Sequence, residues 1–499
     1  MCNGCAHGAM ASQNKFYKFI VVGGGIAGVS CAEKLSSLCP EDEILLISAS
    51  TLVKTITNYR KITKTLESFD VEERPMLSVE TGCPNVKVVQ KYVSLLEADK
   101  HILHTVDGTK YQYGKLCICS GGKPKLIAKD HPYVLGIRDT QSVKEFQNQL
   151  STARRIIVVG NGGIATELVY EVEGCEVIWA IKNKSISSTF VDPGAAEFFL
   201  SQLNKDKSKE EAPSKRLKYT LEDDKSSASS TTKLGGALGP DWSTHLHMTG
   251  SMQTSHQVHV EYLVEIQKLF SPEEFESAGL SESEVPESFI CDKSWPVYVQ
   301  LTNDKVYGCD FIVSATGVTP NTDPFLTGNQ FSIAEDGGFK VNDHMQTTVQ
   351  DVYAAGDICS VSWELSQHWF QMKLWSQARQ MGVYSAMCMV ADGQNEDIQL
   401  DFCFELFAHC TNFFNYKVIL LGRFNAQGLG NDYELLLRVT KDLEYIKVVL
   451  QNGRLQGAIL IGETDLEETF ENLILNQIDL TPFKDHLLEP DIDLEDFFD

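Results

Sequence analysis

No stretch of this 499-residue chain approaches the ~18 to 20 unbroken apolar residues that a membrane-spanning helix needs. The opening MCNGCAHGAMASQNKFYK lacks both the apolar run of a signal peptide and the Arg-rich amphipathic pattern of a transit peptide. Basic charge is scarce as well: 43 Lys and Arg face 68 Asp and Glu, a net charge of −25. Phosphate contacts need clustered cations, so the surface as a whole is not expected to bind nucleic acid. A local basic groove or a basic partner stays open. The chain is therefore expected to be soluble and cytoplasmic, with a nuclear pool left open. Cysteine is not scarce. Fourteen are spread along the chain, and with no secretory signal they read as reduced thiols, not a disulphide scaffold. The length exceeds one ordinary core and implies two or three domains.

What is present begins with FIVVGGGIAGVS, residues 19–30. A strand at 18–22 runs into a glycine loop, followed by a helix through Leu38 and a second strand at 43–48. In the GxGxxG spacing, Gly23 makes the turn, Gly25 lets backbone approach a pyrophosphate, and Gly28 lets the helix pack close to the strand. Ile26 and Ala27 start the helix, whose free N–H groups and dipole favour phosphate. The same device returns at RRIIVVGNGGIATELVYEVEGCEVIWAIKNK. Gly160, Gly162 and Ala165 give the GxGxxA variant, with Gly163 and Ile164 at the helix start and a second strand at 176–181. One such loop is explained equally well by a tight strand-to-helix turn; two are not. Two dinucleotides in one chain suggest a flavin facing a nicotinamide. At the strand ends, where an acid would hold a ribose, the chain has Ser48 in the first unit and Lys182, near Lys184, in the second. A cation there suits a 2′-phosphate, or belongs to a solvated turn, so NADH and NADPH both stay open.

Three further motifs carry a resemblance. YGKLCICSGGKP (113–124) resembles the first crossover of two-dinucleotide flavoproteins, with Cys119-Ser120-Gly121 in place of the usual Ala-Thr-Gly. CDFIVSATGVTPNT (309–322) carries the second crossover at Ala315-Thr316-Gly317, and VYAAGDIC (352–359) resembles the second FAD motif. A helix at 374–379, LWSQAR, follows. In this order the motifs are similar to those of the pyridine nucleotide-disulphide oxidoreductase superfamily, over residues 16–390. The resemblance implies an α/β fold with two Rossmann-like dinucleotide-binding domains. The FAD domain would comprise 16–124 and 340–390, with the NAD(P) domain, 125–339, inserted between them. It implies FAD at Gly23, Gly25, Ile26, Ala27, Gly28, Ser48, Val93, Ser120, Gly121, Gly356, Asp357 and Trp375. Asp357 would bind the ribityl chain and approach the pyrophosphate through Mg²⁺ or water, and the helix from Trp375 would face the flavin pyrimidine edge. NAD(P) is implied at Gly160, Gly162, Gly163, Ile164, Ala165, Lys182, Thr316 and Gly317. Glu167 falls where the family positions a glutamate beside the nicotinamide; the plain alternative is a polar residue on a helix turn.

The sulphurs that the family name implies are missing. Residues 49–66 hold neither the C-x₄-C of disulphide reductases nor the single cysteine of oxidases and peroxidases. Between 153 and 310 the only cysteines are Cys175, Cys291 and Cys309, so the C-x₂-C of thioredoxin reductases is absent too. His409 is not followed by the family's acid-base glutamate and reads as structural. The only C-x₂-C is Cys2–Cys5, and with His7 as the one further candidate ligand nearby no metal site is expected. Cys117, Cys119 and Cys359 read as small buried hydrophobes, with Cys359 placed near the flavin. The expected activity is a FAD-dependent NAD(P)H oxidoreductase that passes electrons to oxygen, a quinone or dye, or another protein. Two alternatives stay open: a redox-sensing protein that regulates a partner, and a disulphide reductase using Cys2 and Cys5 or a partner's cysteines.

The polar, Ser/Lys/acid-rich segment 204–255 reads as a mostly disordered insertion, and 270–293 as a second one. From 400 to 485 the patterns YELLLRV, YIKVVLQNGRLQGAILIG and LEETFENLILNQI predict strand, hairpin and helix, with Asn452-Gly453 as the turn. This α+β segment resembles the C-terminal domain of the ferredoxin- and nitrite-reductase-like branch, which favours a monomer. Residues 1–15 read as a flexible start and 486–499 as an acidic tail, either solvated or docked on a basic partner.

Overall fold

The computed structural model describes residues 15–138, 140–203, 248–253, 256–289 and 294–489. Cys2, Cys5, most of the 204–255 insertion and the last ten residues of the acidic tail lie outside the described residues.

The strand Lys15–Val22 lies between two parallel neighbours, Ile44–Ser48 and Lys110–Ile118. Val86–Gln90 pairs outside Ile44–Ser48, and Val352–Ala354, more than two hundred residues further on, adds in parallel to Lys110–Ile118. Strands buried on both faces read as continuous apolar runs, which explains FIVV and ILLI. One face is covered by the helix Ile26–Leu38, which packs against the long helix Trp375–Gln394. The approach is so close that a Cβ on Gly382 would collide with the carbonyl oxygen of Ala27.

A second parallel sheet follows the order Val134–Leu135, Phe311–Ser314, Arg155–Val159, Glu176–Ala180, Gln257–Glu261. Beside it stands a three-stranded antiparallel sheet, Ile266–Phe270, Val297–Leu301 and Val306–Cys309. The polar stretch expected as an insertion near 270–293 contains a short helix, Pro272–Ser277, opened by a capping box between Ser271 and Glu274. The two links between the sheets meet: Gly122–Pro124 pairs antiparallel with Val318–Pro320. Ser120 Oγ donates to Asn321 O at 3.1 Å, and Asn321 Nδ2 donates to Ser120 O at 3.0 Å.

The C-terminal sheet is antiparallel, ordered Ala408–Phe413, Tyr416–Gly422, Arg454–Ile461, Glu444–Gln451, Glu434–Thr440, and is backed by the helix Glu467–Asn476. Asn452 and Gly453 both adopt positive φ, as the two-residue hairpin turn requires.

One element was not foreseen. Residues 52–75, where the sequence showed only missing cysteines, form a hairpin of Leu52–Lys61 and Glu67–Pro75. Its tip crosses to the C-terminal domain. There Leu66 joins the apolar core, and the buried Glu471 carboxylate accepts from Lys64 N at 2.8 Å, Thr65 N at 3.1 Å and the Thr63 and Thr65 hydroxyls. A charged acceptor with this many donors in a dry setting is a strong tie.

Candidate active site

Both glycine loops open onto one cleft of about 1140 Å³. In the first, Gly23 has φ +127°, and a Cβ there would collide with the carbonyl of Cys119. A Cβ on Gly28 would strike Gly23 O, whereas one on Gly25 would meet nothing. The three glycines thus do three different jobs: turn, open approach, close packing. The helix from Ile26 has no side-chain cap and no acid in its first turn, so its N terminus is left for an anion. The second loop repeats the pattern. Gly160 has φ +129° with Ala315 O in the way of a Cβ, Gly162 faces open space, and Ala165 is fully buried behind the loop. This helix is also uncapped, with no acid in its first turn. Asn161 ties the loop down: its Nδ2 donates to Asn183 Oδ1 (3.1 Å), Ser185 O (2.9 Å) and Ser188 Oγ (2.8 Å).

Ile26, Ala27, Gly121, Gly356, Asp357 and Trp375 line the cleft with the first loop; Gly163, Ile164, Glu167, Lys182, Thr316 and Gly317 line it with the second. Ser120 stands just behind, holding the crossover link. Ser48 does not reach the cleft. It is buried, and its Oγ donates to Ser50 O at 2.9 Å while accepting from Ser50 N at 3.2 Å, a local turn that closes the strand end. Val93 sits on the strand Val93–Glu97, outside the cleft lining. Lys182 is exposed at the end of Glu176–Ala180, whereas Ile181 beside it is buried.

Several cleft residues went unread in the sequence because their partners lie far along the chain. Arg138 Nη2 pairs with Asp357 Oδ2 at 2.6 Å, and Arg138 Nε donates to Gly122 O at 3.1 Å. Lys373 Nζ donates to Asp357 O at 2.7 Å and pairs with Asp336 at 2.7 Å. Lys54 comes from the unforeseen hairpin, whose backbone is joined to the first loop by Lys54 N donating to Gly24 O at 2.9 Å. The cleft thereby carries six cations (Lys54, Lys125, Arg138, Lys182, Lys268, Lys373) against four acids (Glu167, Glu265, Glu274, Asp357). In a chain of net charge −25, that local excess suits polyanionic ligands such as two pyrophosphates.

Behind Trp375 lies His409, fully buried, with its ring 4.9 Å from the indole. Its Nδ1 hydrogen-bonds Ser376 Oγ at 3.1 Å, and burial pushes its pKa down to about 3, so the imidazole stays neutral. It does not line the cleft; it buttresses the helix start that does.

The eleven described cysteines are free thiols. One of them, Cys119, lines the cleft. Among the described residues no group of three or more His, Cys, Asp or Glu is arranged to hold a metal ion, and no helix is long and apolar enough to cross a membrane.

Comparison with known proteins agrees with this geometry. The pyridine nucleotide-disulphide oxidoreductase family model matches residues 17–208 and 282–382, and the rubredoxin NAD⁺ reductase C-terminal domain matches 409–478. The human pyridine nucleotide-disulfide oxidoreductase domain-containing protein 1 is 56% identical over 489 residues, covering 97% of this chain and 98% of that protein. Among solved structures, the NADH-bound water-forming NADH oxidase of Lactobacillus brevis superposes with a TM-score of 0.61 at 14% identity, covering 93% of this chain and 91% of that one. The covalent putidaredoxin reductase–putidaredoxin complex also gives 0.61 at 14%, covering 93% and 94%. At these identities the structural likenesses speak to the fold. Two dinucleotide-binding units open onto one cationic cleft, and the family model covers more than half of the sequence; the chain belongs to the pyridine nucleotide-disulphide oxidoreductase family, with FAD and NAD(P)H as its cofactors.

Proposed function

We propose that this chain is a FAD-dependent NAD(P)H oxidoreductase without the family's redox-active disulphide, passing electrons from the flavin to oxygen or to another acceptor outside the chain. The observation that carries this reading is the pairing of two open glycine loops on one cleft with the hairpin 52–75, which supplies Lys54 and no sulphur. FAD, when bound, would supply the chemistry of accepting hydride from the nicotinamide. The chain's own residues bind and orient. The uncapped helix starts at Ile26 and Gly163 hold pyrophosphate, and Arg138 and Lys373 fix Asp357 for the flavin side. Glu167, half-buried on the cleft wall, positions the nicotinamide.

Anaerobic stopped-flow reduction by NADH and by NADPH, followed by mixing with air, tests the reading. Flavin bleaching on the first mix and recovery on the second is expected, unchanged after every accessible thiol is alkylated. Activity that disappears on alkylation would return the redox role to cysteine.

A second reading, a redox-responsive protein that regulates a partner, is favoured by one feature. On the edge strand Glu434–Thr440, Leu435, Leu437 and Val439 are 46%, 55% and 54% exposed on one face, an apolar stripe of the kind that marks docking surfaces. Fast reduction with slow reoxidation, together with a partner retained only when NAD(P)H is present, would select it.

A further inference from the structure

The chain has no cysteine where disulphide reductases keep theirs, yet it places one in the first crossover, where the family usually has alanine. Cys119 lines the cleft and is 5% exposed. Its Sγ lies 3.5 Å from that of Cys117, which is fully buried. Cys117 cannot shift. It sits in register between Val21 on one side and Tyr353 on the other, at the centre of the first sheet. Cys119 lies just past the strand end and forms the wall against which the first glycine loop folds. Its N–H donates to Val22 O at 2.7 Å, its carbonyl fills the space that a Cβ on Gly23 would take, and its own Cβ is 3.3 Å from where a Cβ on Gly28 would sit.

We propose that Cys117 and Cys119 form an oxidisable dithiol, and that its closure by a hydroperoxide deforms the phosphate-binding loop and lowers the affinity for FAD. The proposal rests on the reading of this cleft as the FAD site. The chemistry balances with peroxide as the oxidant. The Cys119 thiol takes one peroxide oxygen as a sulfenic acid and releases water. The Cys117 sulphur then attacks that sulphur, the S–O bond breaks, a second water leaves and the S–S bond forms. Two thiols and one peroxide become one disulphide and two waters. Bond formation must draw the sulphurs from 3.5 Å to about 2.05 Å. With Cys117 held on both sides, the movement falls on Cys119 and on the carbonyl that shapes Gly23. Hydrogen peroxide is the oxidant the proposal requires, and it is also what two-electron reduction of oxygen, one outcome of the proposed activity, would yield.

The test uses the full-length protein, as holoprotein and after removal of FAD. Each is treated with hydrogen peroxide, and peptide mass spectrometry with thiol alkylation is read beside FAD affinity. In the FAD-free protein, a bridge between Cys117 and Cys119 is expected, with affinity for added FAD lowered about tenfold and restored by dithiothreitol. The holoprotein should be bridged more slowly. Cys119→Ala, which installs the residue usual in the family, should show the same FAD affinity before and after peroxide; Cys119→Ser serves if that variant folds poorly. A protein that never takes up FAD would sink the reading of the cleft. Uptake of FAD with both thiols still alkylated after peroxide, a Cys31–Cys117 bridge instead, or a Cys117–Cys119 bridge that leaves FAD affinity unchanged would each overturn the dithiol.

Discussion

The two glycine loops share a fingerprint but not a setting. The first is buttressed from behind. The helix that follows it is pressed against Trp375–Gln394 closely enough to require Gly382, Ser48 is locked into its own turn, and Cys119 stands against both Gly23 and Gly28. The second is looser at its rim. Its helix, Gly163–Glu171, is shorter, and its strand ends in an exposed Lys182. Sequence alone makes the two sites look equivalent. Their surroundings differ: the first loop is packed from behind by the crossover and a second helix, whereas the second ends at an exposed rim.

The sharpest way to break that comparison is to add one methyl group to each turn. Gly23→Ala forces a side chain into φ +127° against backbone, so flavin content of the purified protein should fall at least tenfold, roughly. Gly160→Ala meets an equal clash at Ala315 but should keep its flavin, losing instead the rate at which NAD(P)H bleaches it. If both variants lose flavin equally, the sites are not independent. A second test concerns the rim. Lys182→Asp should shift the ratio of kcat/KM for NADPH over NADH toward NADH by about tenfold, as steady-state assays with each nucleotide would show. An unchanged ratio would return Lys182 to the solvated turn.

A third test probes the wall behind Trp375. His409 has a pKa near 3 in the folded state against 6.5 as an unperturbed group, so only the unfolded chain takes up its proton between those values. Stability from this residue is therefore complete above pH 6.5 and falls as the pH drops toward 3, by about 1.4 kcal/mol per unit. Urea unfolding at pH 7.5 and 5.5 should show the wild type losing ground relative to His409→Phe at the lower pH. The smallest effect is expected from Arg138→Ala. It leaves Asp357 without its 2.6 Å partner, and the partly exposed arginine limits the loss in apoprotein stability to about 1 kcal/mol in thermal unfolding.

These contrasts show what one sequence makes legible. The strand–loop–helix units, the Asn452-Gly453 turn and the crossovers rest on local rules, a glycine at a forced φ or an apolar run between turns, and they stand in the fold at the expected places. The partners of Asp357 do not. Arg138 and Lys373 reach it from 219 and 16 residues away, and only the folded chain brings them together. The hairpin 52–75 was hidden differently. Its β-branched alternation, Val53, Thr55 and Thr57, is present in the sequence, but what holds its tip, Glu471, lies about four hundred residues away. Ser48 shows the converse: a strand-end residue assigned by position turns its hydroxyl to its own backbone.

The hairpin also sets a timetable. Its tip is completed by Glu471, and the first sheet by Val352–Ala354, so the N-terminal domain cannot close while it is being made. At ribosomal rates of about 5–20 residues per second, the strand Lys110–Ile118 waits roughly 12–47 s for its parallel neighbour Val352–Ala354. During synthesis the nascent chain exposes an unfinished edge beside Lys110–Ile118, and cofactor capture becomes one of the last events of its assembly.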